Sequence, residues 1–193
     1  MRPAALLTLP VAAAVAFAGC GNQVEPAGSV ARTPSKEEQS LSYPRVGLEL
    51  SLPADLEVAR VGPPGVFRAN VGEGFVSAFA YRRKEQLPRD DGELEAARRR
   101  LVEAAEERSD SYDSISSRTT TAGGSKAVAL VGDQTISRAR LRTHSLHVYE
   151  GSAEYVIELA VPVADFERLN RAVFSAIEAS LEVTGEVRRP ADG

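Results

Sequence analysis

Few side chains in this 193-residue chain are equipped for chemistry. Cys20 is the only cysteine, so no disulfide can form within the chain. His144 and His147 are the only histidines. Three apart on a predicted strand, they point to opposite faces and cannot share a metal ion. No metal or other cofactor is expected. The chain contains no phosphate-cradling glycine loop of the P-loop or dinucleotide type, no GxSxG elbow and no HExxH pair. A Ser/His/Asp relay assembled from distant positions leaves no mark in a sequence, and nothing in the order of residues favours one. No catalytic residue is expected, and the chain is read as a non-enzyme. Arg138, Arg140 and Arg142 alternate with Ala139 and Leu141. On a strand, their guanidinium groups would line one face. Such a row suits an anionic headgroup or an acidic partner. The simpler reading is a solvent-facing sheet surface neutralised by nearby glutamates.

The surroundings of Cys20 give that thiol a chemistry. Arg2 and the terminal amine make a positive start, and from Pro3 to Gly19 there is no charged residue. A positive opening, an apolar run and small residues at the cut are marks of an export signal. The run is slightly short for a membrane span, and Pro10 interrupts it. Its ending, Phe17-Ala18-Gly19-Cys20, resembles the lipobox of bacterial lipoproteins. The resemblance implies that the signal 1–19 is removed and that the thiol of Cys20 receives a diacylglyceryl group. Each buried methylene contributes about 0.8 kcal/mol, and one chain holds only marginally, so two acyl chains give a durable anchor. The expected location is the extracytoplasmic face of the cell membrane, with the membrane itself as partner through the N-terminal lipid.

The residues that follow must hold the domain near that anchor. Residues 20–42 are polar, with Gly, Pro, Ser, Glu and Gln and no aromatic side chain. They bury too little apolar surface to offset ordering entropy and are expected to form a disordered tether with a mean reach on the order of 25 Å. Residues 43–184 suffice for one domain with one core. At 43% apolar and 26% charged, the composition is that of an ordinary globular protein. The net charge of −4 gives no general pull towards nucleic acid, which is excluded as a partner. Residues 185–193 are expected to form a disordered tail.

Within the domain, Val46, Leu48, Leu50 and Leu52 alternate with Gly47, Glu49 and Ser51, a period-two strand ended by Pro53. Leu56 and Val58 begin a second short strand, and Gly62-Pro63-Pro64-Gly65 is a turn. Val66 to Val71 and Phe75 to Tyr81 form a hairpin through Gly72-Glu73-Gly74. Both faces of the second strand are largely apolar, which predicts a central strand covered on both sides. Asp90 and Glu93 mark a helix start. Leu94, Ala97, Leu101, Val102 and Ala105 then make one apolar stripe, and Arg98, Arg99 and Arg100 sit among glutamates on a solvated face. Three or four further strands follow, with turns expected at Gly123-Gly124, Gly132-Asp133 and Glu150-Gly151. Pro162 opens a terminal helix whose Phe166, Leu169, Val173, Ala176, Ile177 and Leu181 face inward. The predicted class is α+β, with an antiparallel sheet of about six to seven strands packed with two main helices.

This order resembles the PsbP-like α/β/α sandwich, in particular exported actinobacterial lipoproteins of the LpqN/LpqT type. The resemblance is carried by Val46 to Pro53 with Leu56-Glu57-Val58, by the glycine-led strand Gly124 to Gly132, and by Gly151-Ser152-Ala153-Glu154-Tyr155-Val156-Ile157 leading into the last helix. It implies a small binding or scaffolding module without a shared catalytic set. Its ligand would be an envelope protein, or alternatively a lipid or small amphiphile held in an apolar cleft between sheet and helix.

Overall fold

The computed structural model describes residues 33–187. Cys20, the signal, most of the predicted tether and residues 188–193 lie outside the described residues. In chain order the elements are β1 (Glu38–Tyr43), β2 (Leu48–Pro53), β3 (Val58–Arg60), β4 (Gly65–Val71), β5 (Gly74–Arg82), α1 (Asp91–Arg108), β6 (Asp113–Ala122), β7 (Ser125–Ile136), β8 (Ala139–Glu150), β9 (Ala153–Pro162), α2 (Phe166–Ser180) and β10 (Glu182–Val183). A single 3-10 turn, Val163–Asp165, separates β9 from α2. The architecture is α+β, as the sequence predicts. Seven strands form one antiparallel sheet in the order β3-β4-β5-β9-β8-β7-β6, and β1, β2 and β10 form a smaller second sheet.

The main core lies between the large sheet and a layer made of α2 and the small sheet. Val76 and Ala78 of β5, Tyr155, Ile157, Leu159 and Val161 of β9, and Leu146 and Val148 of β8 all point into it and are fully buried. From the opposite layer come Leu48 and Leu52 with Leu169, Val173, Phe174 and Ile177, again fully buried or nearly so. Three- and four-residue steps put the α2 side chains on one stripe, and period two puts the strand side chains on one face. Burying each large aliphatic side chain stabilises the fold by about 1.5–3 kcal/mol relative to exposure. Tyr155 also ties the layers together, since its hydroxyl donates to the Val46 carbonyl at 2.7 Å.

Among the described residues, the chain crosses the other face of the large sheet between β5 and β6, and α1 is that crossing. Asp90 caps the helix by accepting from the Glu93 amide at 2.8 Å, and Glu93 accepts in return from the Arg89 amide at 2.7 Å. Leu94 packs with Val128, Leu130 and Tyr149 in a second, smaller core, flanked by Leu101 and Val102. Arg98 on the same helix bonds to Glu95 and Ser117.

Several expectations need correction. Residues 38–42, read as tether, belong to β1, whose register with β2 runs from Glu38↔Pro53 to Tyr43↔Leu48. An edge strand is held by backbone hydrogen bonds whatever its side chains, so polar composition misled the disorder reading. Residues 185–187 of the expected disordered tail are ordered: Gly185 lies against Glu150 and Gly151, and Val187 packs on the core. Gly132-Asp133 is not a turn. β7 runs through both residues to Ile136, and the turn falls at Ser137-Arg138. β5 is interior to the sheet, as expected, but the described residues do not cover it on both faces. Helix α1 lies over β6 and β7. The side of β5 carrying Phe75, Phe79 and Tyr81 is therefore only half-buried. Pro162 closes β9 rather than opening the helix.

Candidate functional site

The structure disperses the predicted arginine row. Ser137 and Arg138 have φ of 50° and 73° and form the two-residue turn between Ile136 and Ala139. Arg138 thus leaves the strand geometry that would align it with the other two. Arg140 and Arg142 stay on one face of β8 and are paired with aspartates rather than glutamates. Arg140 bonds to Asp113 and to the Ser111 carbonyl. Arg142 holds Asp133 through two bonds of 2.7 and 3.1 Å. The Arg142 hydrogen bond keeps the Asp133 carboxyl below its ordinary range.

The two histidines face opposite layers. His144 stacks on Phe174 of α2 with centroids 3.9 Å apart, and its Nδ1 lies 2.8 Å from Asn170 Oδ1. The amide oxygen can only accept, so Nδ1 carries the proton. Nε2 is left buried without a partner among the described residues. Burial holds the His144 imidazole below its ordinary titration range. His147 points the other way, towards α1.

On that second face lies the most developed polar constellation, in a cleft of about 300 Å³ between α1 and the uncovered part of the sheet. Strand register builds it. Glu154, Val156 and Glu158 of β9 share one face, and their neighbours on β5 are Tyr81, Phe79 and Ser77. On β8 the neighbours are Tyr149, His147 and Ser145. Glu154 is 4% exposed and fully partnered. His147 Nδ1 lies 2.8 Å from Glu154 Oε1, and Arg83 Nε donates to Oε2 at 2.6 Å. Burial works to raise the Glu154 carboxyl, but the His147 and Arg83 contacts outweigh it and hold the group below its ordinary range. Glu158 sits four residues along on the same face and moves the other way. Burial raises it, and among the described residues its one hydrogen bond is a long 3.4 Å contact from the Ser145 hydroxyl.

Aromatic rings continue the cleft outward over β5. Phe79 and Tyr81 stack with centroids 6.3 Å apart. Arg68 lies 3.7 Å over Phe75 and Arg83 lies 4.8 Å over Tyr81. The result is a half-buried aromatic strip rimmed by arginine. Tyr112, after the end of α1, closes the opposite side of the cleft. Sequence reading missed this site because its polar members come from five elements and carry no local motif. The one signal in the sequence is the apolar outer face of β5, which reads equally as a buried face.

Ser145, His147 and Glu154 share the cleft, but they do not form a nucleophilic relay. In such a relay the serine hydroxyl donates to the histidine. Here the Ser145 hydroxyl bonds to Glu158 instead. Glu154 is bonded by Arg83 as well as by His147.

The fold is PsbP-like. The cyanobacterial PsbP (CyanoP) of Synechocystis sp. PCC 6803 superimposes with a TM-score of 0.58 at 12% identity, over 83% of this chain and 98% of that one. LpqN of Mycobacterium tuberculosis, a protein involved in cell envelope biogenesis, superimposes with a TM-score of 0.52 at 11% identity, over 77% of this chain and 91% of that one. No protein-family model matches the sequence, and no curated protein is significantly similar to it.

Proposed function

We propose that this protein is a lipid-anchored, non-enzymatic binding module of the cell envelope. It is held at the extracytoplasmic face through Cys20 and presents the α1 side of its sheet to a protein partner. The anchor rests on the export signal and on the lipobox-like ending at Cys20. The envelope role agrees with that of LpqN, which shares the fold. The observation that carries the binding role is the strip Phe75, Phe79 and Tyr81, half-buried and rimmed by Arg68 and Arg83. Aromatic and arginine side chains are those that interfaces enrich. A carrier of amphiphiles needs an apolar cavity, whereas this cleft is small and sets Glu154, Glu158, His147 and Arg83 among its apolar side chains. That lining favours a protein partner over a lipid cargo.

Two measurements test the reading. Mass spectrometry of the mature N-terminus should show a chain beginning at an acylated Cys20, and a Cys20→Ala variant should leave the membrane fraction. A photo-crosslinking residue at position 79 should give a discrete protein adduct in cells, while one at the exposed position 103 on α1 should not. A bare Cys20, or equal behaviour at the two positions, would refute the anchor or the binding face respectively.

A further inference from the structure

The same cleft specifies what the partner brings. Arg68, His147 and Arg108 act on Glu158 through space, and among the described residues none of them bonds to it. Arg68 is laid over the Phe75 ring. Arg83 is committed to Glu154 and lies over Tyr81. His147 gives its Nδ1 contact to Glu154. Arg108 is exposed at the end of α1 and acts on Glu158 only through space. The carboxyl is therefore held at the cleft with a single weak hydrogen bond, from Ser145. Leaving an ionisable group so poorly compensated in a half-buried position is costly. The through-space cations offset only part of that cost, and a cation within bonding distance would offset more of it.

We infer that the cleft receives the side chain of an arginine or lysine on the partner protein, with Glu158 as its counter-ion and Phe79 as the flanking ring. This rests on the partner reading of the preceding subsection and adds the chemistry of the contact. A charge-assisted bond to a carboxylate is roughly twice as strong as a neutral one, and planar guanidinium also stacks on aromatic faces. The volume of about 300 Å³ admits one long side chain and not a diacyl lipid. Neighbouring Glu154 does not compete for the cation, because Arg83 and His147 already satisfy it. Charge complementarity thus points to Glu158 and not to the more buried glutamate.

The test uses the full chain as isolated from cells, labelled with carbon-13 at glutamate carboxyls. The probes are two blocked tripeptides, acetyl-Gly-Arg-Gly-amide and its neutral analogue with citrulline in place of arginine. The arginine peptide should move the Glu158 resonance and lower its titration midpoint, and the citrulline peptide should do neither. Glu158→Gln should bind the arginine peptide about tenfold more weakly, and Phe79→Leu should weaken it as well. Equal response to both peptides, no response to either, or unchanged binding by Glu158→Gln overturns the inference. The crosslinking arm separates the two levels. A protein adduct from position 79 that persists undiminished in Glu158→Gln sinks the cation site and leaves the partner reading standing. No adduct in the wild-type background sinks the partner reading itself.

Discussion

The ring of Tyr112 occupies the space that a side chain at Gly132 would need. A β-carbon built there falls 2.4 Å from Tyr112 Cζ. Gly132 thus sits mid-strand in β7 to let an aromatic ring lie flat on the sheet and wall one side of the cleft. The contact explains why a glycine that looks like a turn residue is not one.

Gly132→Ala should therefore displace Tyr112, because the ring can swing while the sheet backbone cannot. The expected loss is about 1–3 kcal/mol, the usual cost of overpacking. Denaturant unfolding of Gly132→Ala, Tyr112→Ala and the double variant would show it. The double variant should be more stable than the sum of the two single losses allows; simple additivity would disprove the contact.

The α2 face gives a larger effect. Leu169 and Ile177 are fully buried between α2 and the two sheets. Truncating either to alanine should cost about 2–5 kcal/mol. Thermal melting of both variants checks this, and an unchanged midpoint would contradict the packing.

The turn between β7 and β8 can be improved. Ser137 and Arg138 adopt positive φ, a conformation that Asn and Gly tolerate far better. The double change Ser137→Asn and Arg138→Gly should raise stability by about 1 kcal/mol. A loss would mean that the Arg138 side chain makes a stabilising contact that outweighs the relief.

Glu154 and Glu158 should give stability slopes of opposite sign. The folded pKa of Glu154 is depressed below 4.5. Its contribution is present above 4.5 and is lost as pH falls through the folded value. The folded pKa of Glu158 is raised above 4.5, so the folded state holds that proton more tightly. Stability from this group is full below 4.5 and declines as pH rises to the raised value. Urea unfolding across pH should show Glu158→Gln gaining on the wild type as pH rises from 4.5. Glu154→Gln should lose ground as pH rises towards 4.5.

His144 adds an acid-sensitive term in a separate window. Its folded pKa lies below 6.5, so the folded state binds its proton less readily than the unfolded chain. Stability from this group is intact above 6.5 and falls as pH drops from there towards the folded value. In His144→Phe, that slope below 6.5 should vanish in the same unfolding series.

Much of the framework was legible from sequence because local patterning and tertiary burial agree. Leu48, Leu50 and Leu52 alternate and are all buried, and the α2 stripe from Phe166 to Ile177 is buried as spaced. Asp90 caps α1, and the glycines at 72, 123, 124 and 151 have positive φ in the turns they mark. Where composition and structure part company, a distant partner decides. β1 is polar yet ordered, because β2 supplies its hydrogen bonds. Gly132 reads as a turn until Tyr112 is seen over it.

Local patterning was enough for the α+β class, for an antiparallel sheet of about six to seven strands and for the two helix faces, since these follow from periods of 2 and 3.6 and from turn residues; the division into two sheets was not legible. The sequence also carries the case for Cys20, which is a matter of local order along the chain. What each charged residue does became visible in the folded arrangement. Glu154 and Glu158 are the same residue type on the same strand and the same face. Their neighbours, Arg83 with His147 in one case and Ser145 alone in the other, come from strands that meet only in the folded sheet. Electrostatic character depends on distance and burial in three dimensions, and neither is written in the linear order of residues.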